Sequence, residues 1–252
     1  MTDNKPIKPL VIIPARKGSK RVPKKNIKQF VNKPLIAWTI EAIKGVQFDA
    51  DIVVSTDCEL IAQIAIEYGA DVPFMRPAEM ASDTSGSLEM IEYTLRELEK
   101  LGRMYETLIY LQPTSPLRTS TVIESALETF ERDENTLSLI SVSETTHPTL
   151  WTMSLPDNLS MSTFVHKQLV NVKKRSQDLS QEYSLNGSIY IIDIKTLLKE
   201  KTFYVNEGCF AFITPKWQSI DIDDKEDFMI AEAICSMNLS KSKDKKLSCK
   251  GD

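Results

Sequence analysis

The chain has 252 residues, 42% hydrophobic and 26% charged, with a formal net charge of −4. This is the composition of a soluble globular protein able to bury a sizeable core, and its acidic balance argues against general nucleic-acid binding. No apolar run approaches the ~18–20 residues that span a bilayer, and no secretory segment opens the chain, so a cytoplasmic protein without membrane contact is expected.

In chain order, Leu10–Ile13 is a branched apolar run ending at Pro14, the pattern of a buried parallel strand. A helix is expected over Pro34–Ile43, with the proline suited to its first turn. Ile52–Val54 reads as a second strand, followed by a helix over Glu59–Tyr68 that Gly69 can stop. Two strand–helix units in succession imply a parallel sheet. Thr107–Leu111 predicts a further strand and Thr119–Glu131 a helix. Later strands are expected at Ser138–Val142, Ile189–Ile192 and Phe210–Ile213, and a closing helix over Asp224–Met237.

Between His147 and Glu182 the periodicity breaks. This stretch reads as an insertion leaving the sheet, either an arm that meets another subunit or a long surface loop. The fold class is therefore α/β, a mostly parallel sheet with helices on both faces, Rossmann-like, plus a small inserted arm. One domain spans 8–237, and the polar tail 238–252 is expected to be disordered. The four cysteines (Cys58, Cys209, Cys235, Cys249) are scattered and form no close pair for zinc or redox chemistry. With only His147 and His166, a histidine-rich metal site is excluded.

Ligands of such sheets gather beyond the carboxyl ends of the strands. The first of these ends carries Pro14-Ala15-Arg16-Lys17-Gly18-Ser19-Lys20-Arg21-Val22-Pro23-Lys24-Lys25-Asn26, with six basic residues and no acidic one. So dense a cluster repels itself unless an anion binds there. Gly18 allows close backbone approach, Ser19 offers a hydroxyl, and the lysines neutralise spread charge. A triphosphate is a suitable partner. The spacing is neither a Walker A loop nor G-x-G-x-x-G.

Four further segments carry candidate chemistry. Arg76-Pro77-Ala78-Glu79 precedes Ser82-Asp83-Thr84-Ser85-Gly86-Ser87, which could also be a helix start capped by Asp83 or Thr84. Leu111-Gln112-Pro113-Thr114-Ser115-Pro116-Leu117-Arg118 lies at another strand end, where Thr114 or Ser115 could cap the next helix. Asn186-Gly187-Ser188-Ile189-Tyr190 follows Lys174-Arg175-Ser176-Gln177-Asp178. In Ser219-Ile220-Asp221-Ile222-Asp223, alternation puts both carboxylates on one side of an extended segment, where they can share a divalent cation.

Ile13-Pro14-Ala15-Arg16 through Lys25-Asn26-Ile27, then Lys33-Pro34-Leu35-Ile36, resembles the signature of the acylneuraminate cytidylyltransferases. The likeness extends over residues 8–237 through all the motifs above, in order. Two departures add charge, since the family usually has Gly where Lys17 stands and often Gly where Arg21 stands. The family also places an arginine directly before Gln-Asp, a register held here by Ser176, with Arg175 one residue earlier.

The resemblance implies a nucleotidyltransferase that joins CTP to an acidic nine-carbon 2-keto sugar and releases pyrophosphate. It implies nucleotide contacts from Arg16, Ser19, Lys20, Lys25, Asn26, Arg76, Ser85, Ser87 and Gln112. Sugar contacts would come from Gln112, Arg175, Gln177, Asn186 and Tyr190. Lys20, Lys25 and Arg175 would act in catalysis, and Asp221 and Asp223 would hold Mg2+. A homodimer is implied, formed through 147–182 with Trp151 and Phe164 as anchors. The competing readings are a Kdo-type cytidylyltransferase, a nucleotide-sugar glycosyltransferase and a non-catalytic nucleotide-binding protein.

Overall fold

The structure, a computed structural model, describes residues 8–81, 86–162, 165 and 180–248. Six strands form the main sheet: β1 (Leu10–Pro14), β4 (Asp51–Ser55), β5 (Thr107–Tyr110), β6 (Ser138–Glu144), β7 (Tyr183–Asp193) and β8 (Cys209–Ile213). Their spatial order is β4-β1-β5-β7-β6-β8. The pairs β1–β4, β1–β5 and β6–β8 are parallel, while β7 runs antiparallel to both its neighbours. The expected mostly parallel sheet is present, with one reversed strand. Two short strands, β2 (Gln29–Phe30) and β3 (Lys33–Pro34), make a separate antiparallel pair.

Strand alternation divides the core into two layers. Val11, Ile13, Val54, Ile109 and Ile191 meet three helices on one face: α1 (Leu35–Lys44), α2 (Glu59–Glu67) and α4 (Ser120–Glu131). Leu10, Ile12, Val53, Leu108 and Ile192 point the other way, onto α3 (Ser87–Lys100) and α5 (Ile194–Glu200). Helices therefore cover both faces, as a doubly covered parallel sheet requires. Gly69, at φ +92°, ends α2 as expected, its N–H bonding back to the Ile66 carbonyl at 2.9 Å.

A third, smaller core places the site. The last helix, α6 (Lys225–Ser248), packs Phe228, Ala231 and Cys235 against Val22, Phe30, Leu35, Leu117 and Ile222. It thereby braces the basic loop, the 111–118 loop and the 219–223 segment together. This helix continues to Ser248, where the sequence reading ends it at Met237 and expects a disordered tail. Residues 238–248 contain neither Gly nor Pro, so no helix breaker intervenes.

Candidate active site

The basic loop is tied down at several points. The Lys17 N–H donates to Asp57 Oδ1 at 2.8 Å. Asn26 is buried, and its Nδ2 donates to the Arg16 carbonyl at 3.0 Å, closing the loop on itself. Lys24 takes a left-handed conformation (φ 53°) to enter the short 3-10 turn Lys25–Ile27. Lys25 then turns inward, donating from Nζ to the Ile222 carbonyl at 2.6 Å. Burial lowers its pKa, opposed by Asp221 and Asp223. The anchored loop lines a cleft of about 500 Å³ through Arg16, Gly18, Ser19, Lys20, Arg21, Lys25 and Asn26. A Cβ on Gly18 would meet no protein atom within 4 Å, so the space beside it is open.

The opposite wall is formed by Arg76, Met80, Gly86, Ser87, Met90, Tyr110, Gln112, Pro113 and Thr114. Arg76 is 7% exposed, and its Nε and Nη2 make no hydrogen bond, although Asp57 lies 3.9 Å from Nη2. Burial lowers the Arg76 pKa and Asp57 opposes it. A guanidinium in this state is a planar donor set suited to a carbonyl and a ring nitrogen of a base. Tyr110 is almost wholly buried, which raises its pKa, while its hydroxyl bonds to Ser87 and Gln112 work the other way. This hydroxyl links the start of α3 to the 111–118 loop.

The 219–223 segment forms the floor beside the basic loop. The Ile222 N–H donates to the Thr114 carbonyl at 2.8 Å, and the Ile222 side chain is fully buried. Asp221 and Asp223 flank it in the chain. Asp223 is exposed and pairs with Arg21 at 3.2 Å. Asp221 is half-buried, and its Oδ1 is shielded without a hydrogen-bond partner. Burial raises the Asp221 pKa, Thr114 opposes, and Asp223 adds to the rise. An orphaned carboxylate oxygen beside a second carboxylate suits a hard divalent cation. Among the described residues no group of three or more His, Cys, Asp or Glu could hold a metal, so water and phosphate oxygens would complete the shell. The residues fit such an ion on those terms.

The structure thus brings Arg16, Ser19, Lys20, Lys25, Asn26, Arg76, Ser87, Gln112 and Asp223 onto one cleft; Asp221 does not line it, but interacts with Thr114 and Lys25, which do. Ser85, Arg175, Gln177 and Phe164 lie outside the described residues. Asn186 does not line the cleft. Its Oδ1 accepts from Ser141 Oγ and the Ser188 N–H, and its Nδ2 donates to Thr214 Oγ1 and Ser219 Oγ. All four capacities of the amide are used, leaving none for a sugar. The side chain instead pins β7 to β6 and to the end of β8.

Tyr190 is likewise off the cleft lining, packed with Tyr110 and Phe203. Its register partner on β5 is Tyr110, which does line the cleft and which the sequence reading passes over. The available signal was its place one residue before the strand-end Leu111-Gln112. Thr114 and Ser115 do not cap α4, whose N-cap is Thr119.

The sequence model of the family described as Cytidylyltransferase matches residues 10–246. A CMP-N,N'-diacetyllegionaminic acid synthase of Legionella pneumophila is 34% identical over 91% of this chain and 97% of its own length. A pseudaminic acid cytidylyltransferase of Campylobacter jejuni is 34% identical over 92% of this chain and 98% of its own. An N-acylneuraminate cytidylyltransferase of Escherichia coli is 36% identical over 89% of this chain, which spans about half (51%) of that longer protein.

Among solved structures, a CMP:2-keto-3-deoxy-manno-octonic acid synthetase complexed with CTP superposes with a TM-score of 0.65. It covers 92% of this chain and 99% of that one at 16% identity, a likeness of fold. The sequence match sets aside the glycosyltransferase and non-catalytic readings: the chain is a nucleotidyltransferase and belongs to the cytidylyltransferase family.

Proposed function

We propose that the chain joins CTP to an acidic nine-carbon 2-keto sugar of the sialic, legionaminic or pseudaminic type, releasing pyrophosphate. The observation that carries this reading is the meeting of opposite charges at one point. Lys25 Nζ bonds to the carbonyl between Asp221 and Asp223, so the phosphate-binding loop and the carboxylate pair serve one ligand. A nucleoside triphosphate with its cation has that charge pattern. The relatives of 34–36% identity are named for nine-carbon acids, whereas the Kdo-type likeness is one of fold.

In this reading Arg76 donates to the cytosine, while Ser87 and Gln112 border the nucleoside. Arg16, Lys20 and Lys25 neutralise the triphosphate. The sugar's anomeric hydroxyl loses its proton and bonds to the α-phosphorus as the bond to the bridging oxygen breaks, and pyrophosphate leaves. Asp221 and Asp223 would hold Mg2+, which when bound offsets charge on the phosphates. Positioning and electrostatics supply most of the rate in such transfers. Gln112, Arg175 and Gln177 are assigned to the sugar side, with Arg175 taking the role that the family gives to an arginine one residue later.

We further assign a homodimer whose interface includes 147–182, and a cytoplasmic site of action, where CTP is available. The test is pyrophosphate release from CTP with each of the three acids, with and without Mg2+. Turnover with one acid, abolished by chelation, is expected. No release with any of the three acids would overturn the assignment.

A further inference from the structure

Arg118 is 3% exposed and does not line the cleft. Its guanidinium is buried between the Gln112 loop, β7 and α1, bonded to neutral oxygens alone. Nη1 donates to the Ser188 carbonyl, and Nη2 donates to Thr39 Oγ1 at 3.0 Å and to the Gln112 carbonyl at 3.2 Å. Nε is buried without a hydrogen-bond partner. Removing a cation from water to a place where all its hydrogen-bond acceptors are neutral is costly, and an apolar side chain of similar volume would avoid that cost. The charge and the fork therefore need an explanation beyond packing.

The three acceptors belong to three separate elements, of which the Gln112 loop lines the cleft. Gln112 begins the loop that walls the nucleoside side, and its Oε1 lies 3.0 Å from where a Cβ on Gly187 would stand. Ser188 follows Gly187 on β7, and Thr39 belongs to α1. The same loop holds the carboxylate segment, since the Thr114 carbonyl accepts from the Ile222 N–H. Arg118 also lies within the field of Asp221, whose buried Oδ1 has no hydrogen-bond partner.

We propose that Arg118 is a positioning residue: its fork clamps the Gln112 loop to β7 and α1 and keeps a positive charge near Asp221. Through Gln112 it fixes the cleft wall, and through Thr114 and Ile222 it fixes the carboxylate pair. Lysine can supply the charge but not the planar fork. Methionine supplies neither.

The inference rests on reading Asp221 and Asp223 as the cation site, and its test separates the two. Arg118→Lys, Arg118→Met and Thr39→Val are compared with the wild type. The readouts are kcat, KM for CTP, thermal unfolding, and calorimetric Mn2+ binding to the nucleotide-free protein. Loss of a partner that orients a ligand typically lowers metal affinity or activity by about 10–100-fold. Arg118→Met is expected to fall in that range on both counts. Arg118→Lys should keep most of the Mn2+ affinity yet lose kcat, and Thr39→Val should unfold like the wild type with kcat lowered about fivefold and KM for CTP unchanged.

If Arg118→Met does not fold, the other two variants decide. Wild-type kcat and Mn2+ affinity in both would overturn the proposal, as would a folded Arg118→Met with wild-type values. If the wild-type protein binds no Mn2+, the cation reading fails while the kcat comparison still tests the clamp. If it turns over no acid, the reaction reading fails while Mn2+ binding still tests Arg118.

Discussion

At Gly187, β7 passes close to side chains of the site. Its φ of +68° lies in the region that L side chains avoid, and a Cβ there would sit 3.0 Å from Gln112 Oε1 and 3.8 Å from Asp221 Oδ2. Gly187→Ala should therefore cost about 1–3 kcal/mol of stability from the backbone alone, and should displace Gln112 as well. Denaturant unfolding reads the first effect, and a rise in KM for substrate in the surviving folded enzyme reads the second. Lys25→Ala removes the cation that bridges the loop and the carboxylate segment. A fall in kcat on the order of 10²–10³ is expected, measured by pyrophosphate release, and an unchanged rate would count against the loop's role.

The loop itself was legible because charge density is a sequence property: six cations without an acid stand out whatever the fold. Asn186 was not. An amide in a motif says nothing about where its four hydrogen bonds go, and here Ser141, Thr214 and Ser219, all distant in sequence, take three while the Ser188 N–H takes the fourth. Tyr110 was missed for the converse reason. In sequence it is one more apolar strand position, and only the adjoining α3 and the Gln112 loop turn its hydroxyl into part of the site.

Between elements, the end of the sheet opposite the cleft is held by a polar network. Arg103, in the connection from α3 to β5, donates to Asp71 and pairs with Asp51 at the start of β4 at 3.3 Å. The Tyr105 hydroxyl donates to Asp51 at 2.6 Å. Burial pushes the Asp51 carboxyl up, but Tyr105 and Arg103 outweigh it and hold it below its usual value. A carboxyl whose folded pKa is depressed stabilises the protein above its unfolded value, about 3.9. That contribution disappears as pH falls through the lower folded value. Asp51→Asn should reduce stability at pH 7 by about 1 kcal/mol or less, as exposed pairs do, a shift of at most roughly 2–4 °C in Tm at this chain length. Thermal melts should show the gap closing as pH drops below about 4; a gap that persists would show that lost packing, not charge, is responsible.

Helix α3 ties the same network to the cleft; the sequence offers a helix start here only as an alternative, capped by Asp83 or Thr84, whereas the N-cap is Gly86. Its buried residues Met90, Ile91, Thr94 and Leu98 do follow helical spacing. The serine-rich stretch before it drew attention to nucleoside contacts instead. The strands at Leu10, Ile52 and Thr107 were easier to place, because strands buried on both faces become continuous apolar runs.

For the whole molecule, the β8 end of the sheet is where a second chain would pack. β8 is the last strand of the sheet, and an uncovered edge invites pairing with another chain. Leu185 on β7 and Ile213 on β8 stand in one register row on either side of Val142. They are 57% and 56% exposed. The 145–182 connection leaves and re-enters the sheet at this end, between Glu144 and Tyr183, and Trp151 on it is also exposed. A second copy laid against this end would cover the apolar row and the connection together. Sedimentation at micromolar concentration should therefore give twice the 28.5 kDa chain mass. Leu185→Lys with Ile213→Lys should halve it without lowering the cooperativity of unfolding, since both side chains are more than half exposed in one chain. A wild-type protein sedimenting as a single chain would remove the dimer assignment, and a lysine variant that stays dimeric would move the interface away from this apolar row.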